Sequence, residues 1–125
     1  MEKKLYREEL TQMEINAHRA SLNGEPAVYC GTYGKYNNGD ISGMWVDVAS
    51  FADYEEFMEF CERVHADEED VELMFQDYEG FPYSWYSESG MGEETFDKIK
   101  EFAKLTDNER EAYEVYLNNH NSEAT

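Results

Sequence analysis

The chain has 125 residues, of which 29 are acidic and 10 basic, so its formal net charge is −19 and its pI is near 4.3. Such a charge disfavours binding to nucleic acids and anionic membranes, because both present phosphate groups. No apolar stretch has the length of a signal peptide or a membrane span. We therefore expect one soluble, cytoplasmic domain with no membrane or nucleic-acid partner, whose partner carries a basic surface.

The first 25 residues predict an N-terminal helical extension. Apolar side chains recur with helical period over residues 3–22, and Asn23-Gly24 with Pro26 should end that helix. This segment is nearly neutral, which favours a packing role over partner binding. Its predicted inner face consists of Tyr6, Leu10, Met13, Ala17 and Ala20.

Residues 26–82 predict a small sheet covered by one helix. Residues 27–36, 41–48 and 71–78 have strand patterns, and Asn37-Asn38-Gly39-Asp40 has the composition of a tight hairpin turn. Glycines within the first two runs suggest a bulge or a close backbone approach. Asp53 and Glu56 have capping spacing at the start of a helix that runs to about Val64. Its predicted inner stripe is Tyr54, Phe57, Met58, Cys61 and Val64.

Residues 83–125 predict a small helical subdomain of two helices, the second of which starts with the capping box Thr106-x-x-Glu109. The fold class is therefore α+β. We expect a small three-stranded antiparallel sheet with a covering helix, a short helical subdomain after it, and an N-terminal helix before it.

Between Tyr36 and Asp97 the chain carries eighteen acidic residues and a single base, Arg63. Aromatic residues are interspersed, so this stretch should fold and hold its carboxylates in fixed places. Like charges three or four residues apart destabilise a helix. A helix that keeps several such glutamates despite this cost often does so because they serve a function. We therefore predict a row on the covering helix and an extension beyond it as partner-binding residues: Glu55, Glu56, Glu59 and Glu62, then Asp67, Glu68, Glu69, Asp70, Glu72, Asp77 and Glu79.

The density of this charge is comparable with that of duplex DNA. A net charge of −17 corresponds to roughly 29 Å of duplex, and a compact chain of this length is about 35 Å across. Carboxylates four residues apart on a helix are also spaced similarly to successive phosphates on one strand. A merely solvated acidic surface is the alternative, although ordinary surfaces intersperse the two signs.

We identify no catalytic residue, metal site or cofactor site in the sequence. The histidines His18, His65 and His120 share no ligand-like spacing and are predicted to be surface or partly packed residues. Cys30 and Cys61 are predicted to be buried free thiols. Residues 67–70 lack the central Gly and closing Glu of an EF-hand. Asp47 and Asp53 could be structural or partner-binding, and most Tyr and Trp residues are expected to be scaffold.

Several segments resemble the ArdA antirestriction family of mobile genetic elements. They are VYCGTYGKYNNG at residues 28–39, GMWVD at 43–47, FQDYEGFP at 75–82, Ser87-Glu88-Ser89, and EREAY at 109–113. The resemblance spans roughly residues 27–118. It covers the first two modules of the family, with residues 26–82 similar to the first and residues 83–125 similar to the second.

The resemblance implies a non-enzymatic DNA mimic that occupies the DNA-binding groove of type I restriction–modification enzymes. The acidic residues named above would then stand in for phosphates. The family's C-terminal module, which builds its dimer, has no counterpart in this sequence, so the resemblance leaves a homodimer open. The alternative function is an acidic protein–protein adaptor that binds some other basic DNA-binding protein.

Overall fold

A computed structural model describes residues 5–124, with the backbone alone for residues 118–124. It confirms the α+β class, the three-stranded antiparallel sheet with its covering helix, and a helix near the N-terminus. Short 3₁₀ turns lie at Val48–Ser50 and Tyr83–Trp85. The helices and strands in chain order are α1 Gln12–His18, β1 Ala27–Thr32, α2 Tyr33–Asn37, β2 Met44–Asp47, α3 Tyr54–Val64, β3 Leu73–Glu79, α4 Glu93–Ala103 and α5 Asp107–Ala124.

The sheet has the order β2-β1-β3, and both pairings of the central strand are antiparallel. Val28 is opposite Val46 on one side and Tyr78 on the other. The register with β3 shifts between Tyr29 and Cys30, which marks a bulge in this glycine-containing strand. The predicted close approach is found at Gly43, where a Cβ atom would lie 2.3 Å from the carbonyl oxygen of Cys30.

One apolar core joins the sheet, α3 and α4. The ring of Phe57 on α3 stacks against Phe75 of β3 and lies 5.4 Å from Phe96 of α4. Cys30 and Cys61 are buried free thiols in this core, as predicted. The aromatic packing gives the acidic segment a rigid frame, because ring pairs in a close-packed interior have few alternative arrangements.

The prediction of one helix over residues 3–22 was wrong. Thr11 and Glu14 form a capping box that starts α1 at Gln12, and the helix ends at His18. Before it, the Tyr6 amide donates to the Ala66 carbonyl across the fold. The apolar stripe is not an inner face either, since Met13 is 82% exposed. Residues 3 and 4 lie outside the described residues.

The first two strands are shorter than predicted. The Thr32 hydroxyl accepts a hydrogen bond from the Lys35 amide, which caps α2 and ends β1 at Thr32 rather than residue 36. Gly39 has a φ of +78°, as the turn composition requires, but the connection contains α2 and is not a tight hairpin turn. The second strand ends at Asp47, whose side chain accepts from the Ala49 amide and starts a 3₁₀ turn.

Candidate partner-binding surface

Helix α3 presents a row of carboxylates because its opposite face is buried. Asp53 caps the helix by accepting the Glu56 amide, and Phe57, Phe60 and Cys61 face the core. That arrangement leaves Glu55, Glu56 and Glu59 exposed and Glu62 half-buried. At ~1.5 Å of rise per residue, Glu55 and Glu62 are about 10 Å apart along the axis.

The four members of this row differ in their partners. The Nε2 atom of His18 lies 3.7 Å from Glu56, and the His18 ring stacks on Phe51 at 3.9 Å. Within the described part of the chain, Glu55, Glu59 and Glu62 form no ion pair. The exposed row therefore keeps most of its negative charge unopposed.

The acidic loop after α3 divides into an inward and an outward part. Asp67 accepts a hydrogen bond from the Lys35 ammonium at 2.9 Å, and Glu68 accepts one from the Thr32 hydroxyl at 2.5 Å. Both contacts tie the loop to the end of β1. By contrast, Glu69, Asp70 and Glu72 are exposed and have no ion pair among the described residues.

On β3 the last acidic positions alternate toward solvent. Asp77 and Glu79 are exposed, whereas Gln76 and Tyr78, which alternate with them along the strand, are half-buried. The Asp77 side chain also accepts its neighbour's amide, from Tyr78 at 2.8 Å. Strand periodicity thus places these two carboxylates on one side of β3.

Arg63, the single base of the acidic stretch, forms its ion pair with Glu14 outside the α3 row, while its charge also attracts Glu59 without pairing to it. Its guanidinium contacts both carboxylate oxygens of Glu14, at 2.7 and 2.9 Å, and donates to the carbonyls of Glu8 and Glu9. The hydrogen bond from Arg63 lowers the pKa of Glu14 to about 2. The base therefore anchors the N-terminal segment to the fold.

Other bases are also directed to backbone carbonyls. Arg7 donates to Glu68, Lys100 to Phe51 and Ala52, and Arg110 to Gly24 and Ala103. These contacts satisfy carbonyl groups at loops and helix ends, where intrahelical partners are lacking. Several of the few bases in this chain thus bind backbone carbonyls and hold the fold together.

Asp47 and Asp53 have structural contacts. Each accepts a backbone amide at the start of a helical turn. Partial burial raises the pKa of Asp47.

Sequence reasoning left out the acids at the start of α4. Glu93, Glu94 and Asp97 are exposed, and the Tyr54 hydroxyl donates to Met91 at 2.6 Å, which brings this end of α4 next to the start of α3. Burial raises the pKa of Tyr54, and Glu93 adds to that effect. The sequence shows that these three acids belong to the acidic stretch. It does not show that they lie near α3, because that proximity depends on the Tyr54–Met91 hydrogen bond between residues 37 positions apart.

The prediction that His65 is a surface or partly packed residue was wrong, because the residue is 1% exposed. Its ring contacts Lys35 Nζ at 2.9 Å and the Cys30 carbonyl at 3.0 Å. The side chain of His120 lies outside the described residues. Among the described residues, no group of three or more His, Cys, Asp or Glu could hold a metal ion. None of the described helices is both long and apolar enough to cross a membrane.

Together, the fold and this surface define a small acidic α+β protein whose exposed carboxylates are largely without paired bases. A family model described as antirestriction protein (ArdA) matches residues 28–125. The chain therefore belongs to the ArdA antirestriction protein family. Searches of curated proteins and of solved structures found no match.

Proposed function

We propose that this protein opposes restriction by mimicking DNA, and that it occupies the DNA-binding groove of a type I restriction–modification enzyme without catalysing a reaction. The observation that carries the proposal is the row Glu55, Glu59 and Glu62, held on a rigid helix with no described base paired to it. Membership in the antirestriction family supports the class of target.

We assign the role of phosphate surrogate to the acids that face solvent. A basic cleft can bind fixed carboxylates in place of phosphates, because arginine and lysine form charge-assisted hydrogen bonds with both groups. Asp67 and Glu68 contribute less in this proposal, since both already bind groups within the fold. The proposed set is Glu55, Glu56, Glu59, Glu62, Glu69, Asp70, Glu72, Asp77 and Glu79.

Direct competition with DNA tests the proposal. The protein should displace a labelled duplex from a type I methyltransferase, and the concentration required should rise steeply with salt, because the contacts are ionic. A partner that binds the acidic surface outside its DNA cleft would hold protein and DNA at the same time. A ternary complex would therefore favour the adaptor function, and DNA that stays bound at a large excess of protein in low salt would contradict the mimic.

Matched charge removal tests the α3 row. The double variant Glu55→Gln/Glu59→Gln should weaken competition, and adding Glu62→Gln should weaken it further, since the row acts as a distributed field. The control is Glu101→Gln/Glu111→Gln, which removes the same charge from exposed positions on α4 and α5. Equal losses from both doubles would show that net charge alone matters and would remove the α3 row from the site.

A further inference from the structure

Three tyrosines, one near the end of β3 and two in or next to the 3₁₀ turn after it, form a partly exposed aromatic platform. The rings of Tyr78 and Tyr86 stack with centroids 4.6 Å apart, and the Tyr83 ring lies 6.0 Å from Tyr78 and 6.5 Å from Tyr86. Tyr83 is 74% exposed, although most Tyr and Trp residues were expected to be scaffold. We call these three residues the tyrosine platform.

The backbone holds this platform in place. Pro82 precedes a 3₁₀ turn in which the Trp85 amide donates to Pro82 and the Tyr86 amide donates to Tyr83. The Tyr86 hydroxyl donates to the Phe75 carbonyl in β3 at 2.5 Å. These bonds fix the backbone that carries Tyr83 and the ring of Tyr86 beside it, so little backbone freedom is lost on binding, as at other tyrosine-rich binding surfaces.

A carboxylate-bearing residue borders the platform. The Glu88 carbonyl accepts the Phe75 amide at 2.8 Å, next to the Phe75 carbonyl that accepts the Tyr86 hydroxyl. The Glu88 side chain also accepts a hydrogen bond from the Tyr33 hydroxyl at 3.3 Å. Burial raises the pKa of Tyr86, and the negative charges of Glu88 and Asp77 add to that rise. Neither carboxylate has an ion pair with a described base.

We infer that the tyrosine platform binds an arginine side chain of the target, with the guanidinium over the Tyr83 ring and toward Glu88. A guanidinium is planar and weakly hydrated, so it stacks on an aromatic face while its N–H groups donate to a carboxylate. The more strongly hydrated ammonium of lysine suits such a site less well. This inference rests on the proposed function, because the arginine belongs to a basic DNA cleft.

Tyrosine substitutions test the inference in the DNA-competition assay. Tyr83→Ala should raise the protein concentration needed to displace the duplex about tenfold, which corresponds to about 1.4 kcal/mol. Tyr83→Phe keeps the ring and should stay within about twofold of the unmodified protein. Removal of a neutral ring should leave the steepness of the salt dependence unchanged. The matched control is Tyr36→Ala, since Tyr36 is an exposed tyrosine of α2 outside the platform.

The outcomes separate this inference from the proposed function. If the unmodified protein does not displace DNA, the proposed function fails and the inference with it. If it does, unaltered competition by Tyr83→Ala, or an equal loss from Tyr83→Phe or Tyr36→Ala, overturns the inference alone.

A second measurement uses the isolated protein and small molecules. Acetyl-arginine amide should shift the NMR signals of the Tyr83 ring more than acetyl-lysine amide does at the same concentration. Equal responses to the two compounds, zero included, would overturn the assignment to arginine.

Discussion

Lys35 shows at the residue scale how a base can serve the interior of this acidic chain. Its ammonium donates to Asp67 and to the Nδ1 atom of His65, both at 2.9 Å. Because an ammonium only donates, Nδ1 accepts, and the Nε2–H group donates to the Cys30 carbonyl. One lysine thereby fixes the orientation of a buried imidazole and ties down the acidic loop.

Replacement of Lys35 by methionine should therefore destabilise the fold. The side chain of Lys35 is 15% exposed, and its loss leaves the Nδ1 atom of the buried His65 ring without this donor. Such a group costs about 1–3 kcal/mol when left unsatisfied, so we expect a loss in that range by urea unfolding. Lys98→Met is the control, because Lys98 is 51% exposed and lies 4.0 Å from Glu94. A loss equal to that of the control would contradict the role assigned to Lys35.

At the scale of elements, local signals predicted some structures and long-range contacts overrode others. Helix α3 was predictable because Asp53 supplies a cap and its apolar residues keep one period through Val64. The N-terminal segment was not, because Arg63 anchors residues 8, 9 and 14 from about fifty positions away. The Thr11–Glu14 capping box was visible in the sequence, but the longer apolar period dominated the prediction.

The same distinction applies to the candidate surface. Glu55 and Glu59 are exposed because they occupy the helical face opposite the core, so the apolar period of the sequence was sufficient to predict their exposure. The internal contacts of Asp67 and Glu68 reach Lys35 and Thr32, which are 32 and 36 residues away. No local pattern reveals such partners, and the same is true of the contact that sets Tyr86 against β3.

The Glu14–Arg63 pair predicts a pH dependence for the attachment of the N-terminal segment. The pKa of Glu14 is lowered in the folded state to about 2 from an ordinary 4.5, so the pair stabilises the fold fully above pH 4.5. This contribution is lost as the pH falls from about 4.5 toward 2. Glu14→Gln should therefore be less stable than the unmodified protein at pH 7, and the difference should shrink over that range.

Urea unfolding at a series of pH values measures that difference. Glutamine can still accept the Thr11 amide, so the variant isolates the ion pair from the capping box. The control is Glu101→Gln, which removes an exposed pair with Lys104. A stability gap for Glu14→Gln that stays constant from pH 7 to about pH 2 would contradict the prediction.

At the scale of the whole molecule, the surface that suits a basic partner also opposes folding. With a formal net charge of −19, the compact state brings many like charges close together, and its aromatic core must offset their repulsion. Salt screens these exposed charges, and the Debye length falls from about 30 Å at 0.01 M to about 8 Å at 0.15 M. Sodium chloride should therefore stabilise the free protein while it weakens binding to a basic cleft.

One salt series can measure both effects, the gain in stability of the free protein and the loss of binding. Thermal unfolding of the free protein should shift to higher temperature between about 0.01 and 0.15 M sodium chloride, and displacement of DNA should require more protein over the same range. Glu55→Gln/Glu59→Gln carries two fewer charges, so both dependences should be shallower. The control Glu101→Gln/Glu111→Gln also removes the weak exposed pair of Glu101 with Lys104. Its thermal stability should therefore depend on salt about as weakly as that of the α3 variant, whereas its competition with DNA should be unimpaired, because repulsion depends on the whole charge and binding on its placement. A free protein whose stability falls with salt would show that its internal ion pairs, such as Glu14–Arg63 and Asp67–Lys35, outweigh the repulsion of the exposed acids.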